Sequence, residues 1–406
     1  MKILYVHQYF KTPEEGGANR SYYMAQAMVE AGHEVVMLTS HNEPKLSERM
    51  VDGISVVYLP VNYSNFFDTK ERILSFLKFV QQAKKWLRKN HAFDKCIATS
   101  TPLTVGSISL WLKKRFKISY VFEVRDLWPE APIQMGVFKN PLVKRGLRNY
   151  EKKIYENADA IIALSPGMRK HIQKVVPDKA IALIPNVADC HFFKPSEKKS
   201  ENLELHYGVK NKFVVSYFGA IGPVNDLMSL VRSAEFCLDL PLRFLIMGEG
   251  RNLCGIKQYV KERNISNVFF VPYGTKEDVR KLMDITDACY VSFLHKPVLR
   301  TNSPNKFFDA IASGKMIITN IQGWIRGLVE EKHFGIYADS DIPVELREKL
   351  LPFLESKELL QRYQKNAREA AENYFNREQL SAQFLATVEG SLAHKMIDHH
   401  IFTLSA

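Results

Sequence analysis

TNSPNKFFDAIASGKMIITN, residues 301–320, reads in order as a helix, a stop and a strand. Ser303 is a favoured N-cap and Pro304 suits a first helical position, so the helix is expected to run to about Ser313. Gly314 supplies the stop, and the apolar MIITN (316–320) the strand. Lys306 and Asp309 lie three apart and share one helix face. A lysine in the first turn opposes the helix macrodipole, which disfavours it for structure alone and suits it to a docked anion. The Asp309 carboxylate can then accept from two hydroxyls of a ribose.

Outward from this unit the same alternation recurs. Before it come FVVSYFGAIG (213–222), LRFLIMG (242–248), VFFVPY (268–273) and ACYVSF (288–293), each a strand candidate followed by helical spacing. The first half repeats the pattern, with strands expected at 2–10, 34–40, 54–60, 95–100, 118–124, 159–165 and 180–186. Helices are expected at about 19–31, 70–89, 103–115, 141–157 and 167–175. Apolar strands alternating with helices predict an α/β fold of two Rossmann-like units, each a parallel sheet covered on both faces. The lysine-rich, aperiodic KPSEKKSENLE (194–204) reads as the linker. The expected organisation is therefore 1–195, 205–375 and an amphipathic C-terminal helix in 376–406 that packs back on the first domain.

Composition fits this. The chain has 406 residues, enough for two domains, and is 46% hydrophobic and 25% charged. No run of 18 uncharged apolar residues exists, and the short apolar start lacks a small-residue cleavage site, so a cytoplasmic protein is expected. The five cysteines form no CxxC pair, consistent with free thiols in a reducing compartment. A formal net charge of +12 favours anionic partners, or serves solubility alone. The basic residues are spread along the chain without a nucleic-acid module, so no nucleic-acid partner is expected.

Ligands of open parallel sheets bind beyond the carboxyl ends of strands, so chemistry is sought in the strand-to-helix turns. KTPEEGGANR (11–20) places Gly16 and Gly17 where backbone can approach a ligand, or forms a plain flexible loop. FEVRDLWPEAP (122–132) puts Arg125, Asp126, Trp128 and Glu130 beyond a buried strand; a surface pair over a packed Trp128 is the bland alternative. The turn with Gly219 and Gly222 could offer N–H groups to a phosphate. Asp339-Ser340-Asp341 matches a DxD metal signature but is expected to cap the next helix, and no other ligand cluster supports a metal. In 72–90, Ile73, Phe76, Leu77, Val80 and Leu87 form an apolar face, and Lys78, Lys85, Arg88 and Lys89 a basic one. Such a helix covers a sheet or lies on anionic lipid.

The Gly16–Gly17 loop, DAIIALSPGM (159–168), IPNVADCHFF (184–193), the FGAIG turn and above all SPNKFFDAIASGKMII (303–318) resemble the retaining glycosyltransferases of GT-B architecture, of the glycosyl transferases group 1 type. RDLWPE (125–130) resembles a bacterial subgroup that builds surface polysaccharides such as capsule and lipopolysaccharide, fucosamine transferases among them. The resemblance implies two facing Rossmann-like domains and transfer of a sugar, with retention, from a nucleotide diphosphate, leaning to uridine. The implied acceptor is a glycan, lipid-linked, met at the cytoplasmic face of the inner membrane. Asp309 would bind the ribose and Lys306 the diphosphate. Pro272 and Tyr273 would hold the base, and Gly16 and Gly17 would approach the donor. Arg300, Ser303, Asn305, Gly219 and Gly222 complete the expected nucleotide-sugar set, with Lys306, Arg125 and Asp126 as catalytic candidates.

The chain departs from the family pattern at Thr301, where an acid is usual, and in the turn FGAIGPVND (218–226), which lacks a basic pair. No cofactor or metal is required if Lys306 and arginines neutralise the leaving diphosphate. The acceptor proton would pass to the leaving phosphate oxygen, with Asp126 and Glu130 as other base candidates. A nucleotide-sugar epimerase of the same architecture and a non-catalytic partner subunit are the alternative readings.

Overall fold

In the computed structural model, residues 1–16, 19–64, 66–196 and 198–390 are described. They divide into two units: Met1–Pro185 with Thr301–Ser303 and residues 378–390, and Asn186–Arg300 with Pro304–Arg377.

The first unit opens with β1 (Lys2–Val6), α1 (Arg20–Glu30), β2 (Glu34–His41), β3 (Ser47–Val51) and β4 (Ile54–Pro60). It continues through α2 (Thr69–Leu87), β5 (Lys95–Thr99), α3 (Gly106–Phe116), β6 (Ser119–Val124) and α4 (Glu130–Gln134). The last elements of this stretch are α5 (Pro141–Asn157), β7 (Ala160–Ala163), α6 (Pro166–Val175) and β8 (Ile181–Leu183). The strands form one sheet in the order β3-β4-β2-β1-β5-β6-β7-β8. Every neighbour pair is parallel except β3 with β4. The sequence reading missed β3, because SERMV is largely exposed on both faces and has little apolar content. Its signal was the Asp52-Gly53 pair, both at positive φ, which joins it to β4 as a tight hairpin. The first strand was drawn too long: β1 ends at Val6, and His7 and Gln8 stay tied to β2 through backbone bonds to Leu38 and Ser40.

The C-terminal helix, which is α15 (Arg377–Glu389), returns to this unit by burying Leu380, Phe384 and Val388. The Phe384 ring stacks on Tyr5 of β1 at 6.1 Å, and Lys95 Nζ donates to the Val388 carbonyl at 2.6 Å. Positions 391–397 of the expected helix lie outside the described residues.

The second unit starts before the lysine-rich stretch, not after it. Asp189 accounts for the shift, since it pairs with Lys276 at 2.8 Å and with Arg377 at 3.5 Å inside this unit. Part of the expected linker is itself helical, α7 (Glu201–His206). Then come β9 (Phe213–Phe218), α8 (Leu227–Glu235), β10 (Leu242–Met247), α9 (Leu253–Glu262), β11 (Val268–Val271) and α10 (Lys276–Asp284). They are followed by β12 (Ala288–Val291), α11 (Asn305–Ala312), β13 (Met316–Thr319), α12 (Trp324–Glu331) and β14 (Gly335–Tyr337). The helices α13 (Pro343–Glu355) and α14 (Lys357–Tyr374) end the unit.

Its sheet is all parallel in the order β11-β10-β9-β12-β13-β14, so the strand order reverses between β9 and β12. In the first unit the corresponding reversal lies between β1 and β5. The crevice beyond the carboxyl ends at such a point is the favoured ligand position in this fold class.

Candidate functional site

In the second unit the site is built on α11. Within KFFDAI the two phenylalanines are fully buried, and their rings meet Trp324 at 5.8 Å, Phe334 at 6.2 Å and Phe375 at 5.1 Å. That aromatic packing fixes the helix, and the 3.6-residue period turns Lys306 and Asp309 together toward another side. The helix starts one residue later than expected: Pro304, not Ser303, is its N-cap, and no side chain caps it. Ser303 instead groups with the first unit, as does Thr301, whose carbonyl accepts from Ser165 Oγ. With no acid in the first turn, the positive end of α11 is left uncompensated at Asn305 and Lys306.

The Lys306 ammonium is buried without a hydrogen-bond partner. It lies 3.7 Å from the centroid of the Tyr217 ring, and a Cβ on Gly219 would stand 3.6 Å from it. Burial lowers its pKa to about 7. Burial likewise raises Asp309 to about 7, with Lys276 pulling it down and Asp189 pushing it up. No hydrogen bond or ion pair of the Asp309 carboxylate occurs among the described residues. Lys276 and Asp189 are site neighbours that the sequence reading missed; 87 residues separate them, and only the tertiary pairing joins them.

The glycine turn after β9 works differently from expectation. Gly219 donates to the Met247 carbonyl at 2.9 Å, Ile221 to Glu249 at 2.7 Å, and Gly222 to Asn225 Oδ1 at 3.1 Å. Those N–H groups are therefore used inside the fold. What Gly219 supplies is room beside Lys306, at a φ of +114° that a side chain rarely adopts. The segment 248–250 is what holds the turn. A Cβ on Gly248 would meet the Gly219 carbonyl at 2.0 Å, and one on Gly250 the Ile221 carbonyl at 2.4 Å. Pro272 and Tyr273 follow the edge strand β11 and are exposed. Arg300 is exposed too, on the loop after β12, beside a shallow hollow lined by Phe293, His295 and Asn320.

Asp339-Ser340-Asp341 does not cap α13, whose N-cap is Ile342 without side-chain help. Asp339 and Asp341 instead stand with His295, each offering one ligand atom within 4.8 Å of the others. Asp341 is largely exposed there.

In the first unit the candidates gather at the carboxyl ends of β1, β5 and β6. Gly16 has a positive φ of +70° and open space around its α-carbon, while Gly17 and Ala18 lie outside the described residues. Arg125 and Asp126 do not pair. Asp126 accepts from Thr101 Oγ1 at 2.8 Å; burial raises its pKa, against that bond and the Arg125 charge. Glu130 is occupied by Arg148 at 3.1 Å and Gln134 at 3.1 Å, which makes it a structural anchor of α4 on α5. Trp128 packs edge-on against Phe76 of α2 at 5.9 Å. Below them Arg20 and Glu123, both buried, pair at 2.7 Å.

Comparison with known proteins now bears on this geometry. The description "Glycosyl transferase 4-like domain" matches residues 15–187, and "Glycosyl transferases group 1" matches 199–370. The chain belongs to the GT-B glycosyltransferases. It is an enzyme family that transfers sugars. One curated relative, from Escherichia coli (strain K12), carries a name assigning it to colanic acid biosynthesis as the glycosyl transferase WcaI. It is 23% identical over 66% of this chain and 67% of its own length. Among solved structures, sucrose-phosphate synthase from Thermosynechococcus elongatus superposes with a TM-score of 0.76 at 18% identity, covering 97% of this chain and all (100%) of that one. Anabaena HepE, solved with UDP and glucose, gives 0.71 at 17% identity, covering 96% and 100%. At such identities the structural likeness establishes the GT-B fold. No described helix is long and apolar enough to cross a membrane.

Proposed function

We propose that this glycosyltransferase moves a sugar, with retention and without a metal, from a uridine diphosphate donor to a lipid-linked glycan acceptor in bacterial surface polysaccharide synthesis. The observation that carries the donor half is the buried, unpartnered Lys306 ammonium at the uncapped start of α11. A buried ammonium without a partner is costly unless a ligand supplies the counter-charge. A diphosphate does so, and its charge holds Lys306 protonated. As the glycosidic bond breaks, charge grows on the leaving phosphate, and the ammonium and helix N–H groups stabilise it in place. Asp309, three residues on, would accept from the ribose hydroxyls. The acceptor hydroxyl would give its proton to the leaving phosphate oxygen. The uridine assignment is supported by the UDP bound in HepE, and the polysaccharide assignment by the name of the WcaI relative.

The lipid half rests on the first unit's surface. Phe76, Phe79, Ala83 and Leu87 of α2 face the core, so that part of its apolar face covers the sheet. Ile73, Leu74 and Leu77 of α2 remain exposed on a helix that also exposes Lys70 and Lys78, as do Leu142 and Val143 at the start of α5 beside the exposed Arg145. Apolar side chains among cations suit an anionic bilayer. Flotation with anionic liposomes at low and high salt tests this; absence of binding at both removes the membrane reading.

The donor half is tested by calorimetry with UDP and GDP, without and with magnesium, on wild type and Asp309→Ala. Tight metal-free binding of UDP, weakened in the variant, is expected. Binding to neither nucleotide would refute the reading.

A further inference from the structure

The carboxyl-end mouth of the first unit's sheet holds a cation without a counter-ion. Glu123, a buried carboxylate at the end of β6, is already engaged: Arg20 donates at 2.7 Å, Thr99 Oγ1 at 2.8 Å and Tyr5 Oη at 3.3 Å. Burial alone would raise its pKa, but Arg20 and then Arg125 hold it below the usual range, so it stays ionised and committed to Arg20. Asp126 is held by Thr101. Arg125 thus makes no ion pair among the described residues, although its backbone N–H is anchored on Ser100 Oγ at 3.1 Å.

Among the described residues, the one side-chain hydrogen bond of its guanidinium is Nη1 to His7 Nε2, at 3.4 Å. A guanidinium can only donate, so Nε2 must present its lone pair. Burial, then the Arg125 charge, keeps the His7 pKa well below its ordinary value, so the ring is neutral. Its proton therefore sits on Nδ1. His7 is 5% exposed, and Nδ1 has no hydrogen-bond partner among the described residues. A buried N–H donor left unmet beside a guanidinium that makes no ion pair describes a place for an oxyanion.

We propose that Arg125 and the His7 Nδ1–H bind an anionic substituent, a carboxylate or a phosphate, on the sugar that enters the first unit's mouth. The proposal rests on the glycosyltransferase reading and adds the charge of one substrate. Arg125 reads the anion, and His7, its tautomer set by Arg125, adds the second donor.

The test is a titration of histidine-labelled protein with glucuronate, glucose 6-phosphate, glucose and inorganic phosphate, followed by NMR. The His7 signal is the one absent from His7→Gln. A charged sugar is expected to shift the His7 ring with an affinity about tenfold or more above that of glucose. Glucuronate and glucose 6-phosphate separate carboxylate from phosphate. The response should vanish in Arg125→Gln and survive in part in Arg125→Lys, and the wild-type comparison alone decides the matter if a variant does not fold. Equal response to glucose, silence toward both charged sugars, or response to inorganic phosphate only would each overturn the proposal. UDP binding on the same sample reports separately on the donor reading. Retained UDP binding with a silent His7 refutes this inference alone, and a responding His7 without UDP binding refutes the donor reading alone.

Discussion

The two units bury charge in opposite ways. In the first, Arg20 and Glu123 sit side by side at 2.7 Å, and Arg20 also donates to the Ile184 carbonyl at 3.0 Å and to that of Pro185. Each nitrogen of the Arg20 guanidinium has an acceptor, and the pair ties α1 to β6 and to the end of β8. In the second, Lys306 and Asp309 share a helix face three residues apart but form no ion pair. Burial drives both toward their neutral forms. A paired buried charge serves the fold; an unpaired one, on the function proposed above, meets its counter-charge in a ligand. The same contrast recurs inside the first unit, where Arg125 lies above the satisfied pair without a counter-ion.

Breaking the satisfied pair should give the largest stability effect. Arg20→Met leaves Glu123 buried and uncompensated and should cost about 3–5 kcal/mol, read by urea unfolding. Lys306→Met should do the reverse. Turnover should fall roughly 100-fold or more, as when one preorganised transition-state donor is lost, while thermal stability of the empty protein holds or rises. A fall in stability matching that of Arg20→Met would erase the distinction between the two sites. Next, Asp309→Ala should weaken UDP by about 1.5–3 kcal/mol, the usual worth of hydrogen bonds to a charged group, as measured by calorimetry.

The same two groups set a pH dependence of the stability of the empty protein. Asp309 has a raised folded pKa, so its contribution is fully present below its unfolded value and is lost as pH rises toward about 7. Lys306 is lowered, so its folded form costs stability wherever the unfolded lysine would be charged, and that cost shrinks as pH rises above about 7. Together they place a stability minimum near neutrality. Asp309→Asn should flatten its acid side and Lys306→Met its alkaline side, in thermal melts that move about 2–4 °C per kcal/mol.

Much of this was legible in the sequence, because periodicity is local. ISVVYLP (54–60) and the helix at 141–157 fall where their spacing places them, and residues 303–320 disclosed Lys306 and Asp309 through a helix start and a stop. What escaped depends on distant partners. Arg20 and Glu123 are 103 residues apart, and a strand glutamate gives no sign of a buried arginine below it. His7 looked like one more strand residue until β1 ended at Val6 and left the ring at the mouth. The Gly219 turn looked like a phosphate cradle because sequence shows its glycines and not the 248–250 segment that consumes its N–H groups.

The most direct test of the claim that Lys306 awaits a diphosphate is proton linkage. UDP is titrated at pH 8 in two buffers of different ionisation enthalpy, on wild type and Lys306→Met. With a free pKa of about 7, the amine is mostly neutral at that pH, and a bound diphosphate must protonate it. The account predicts uptake of roughly one proton per UDP in wild type and none in Lys306→Met. Binding with no proton uptake in wild type, or with the same uptake in both proteins, would contradict it.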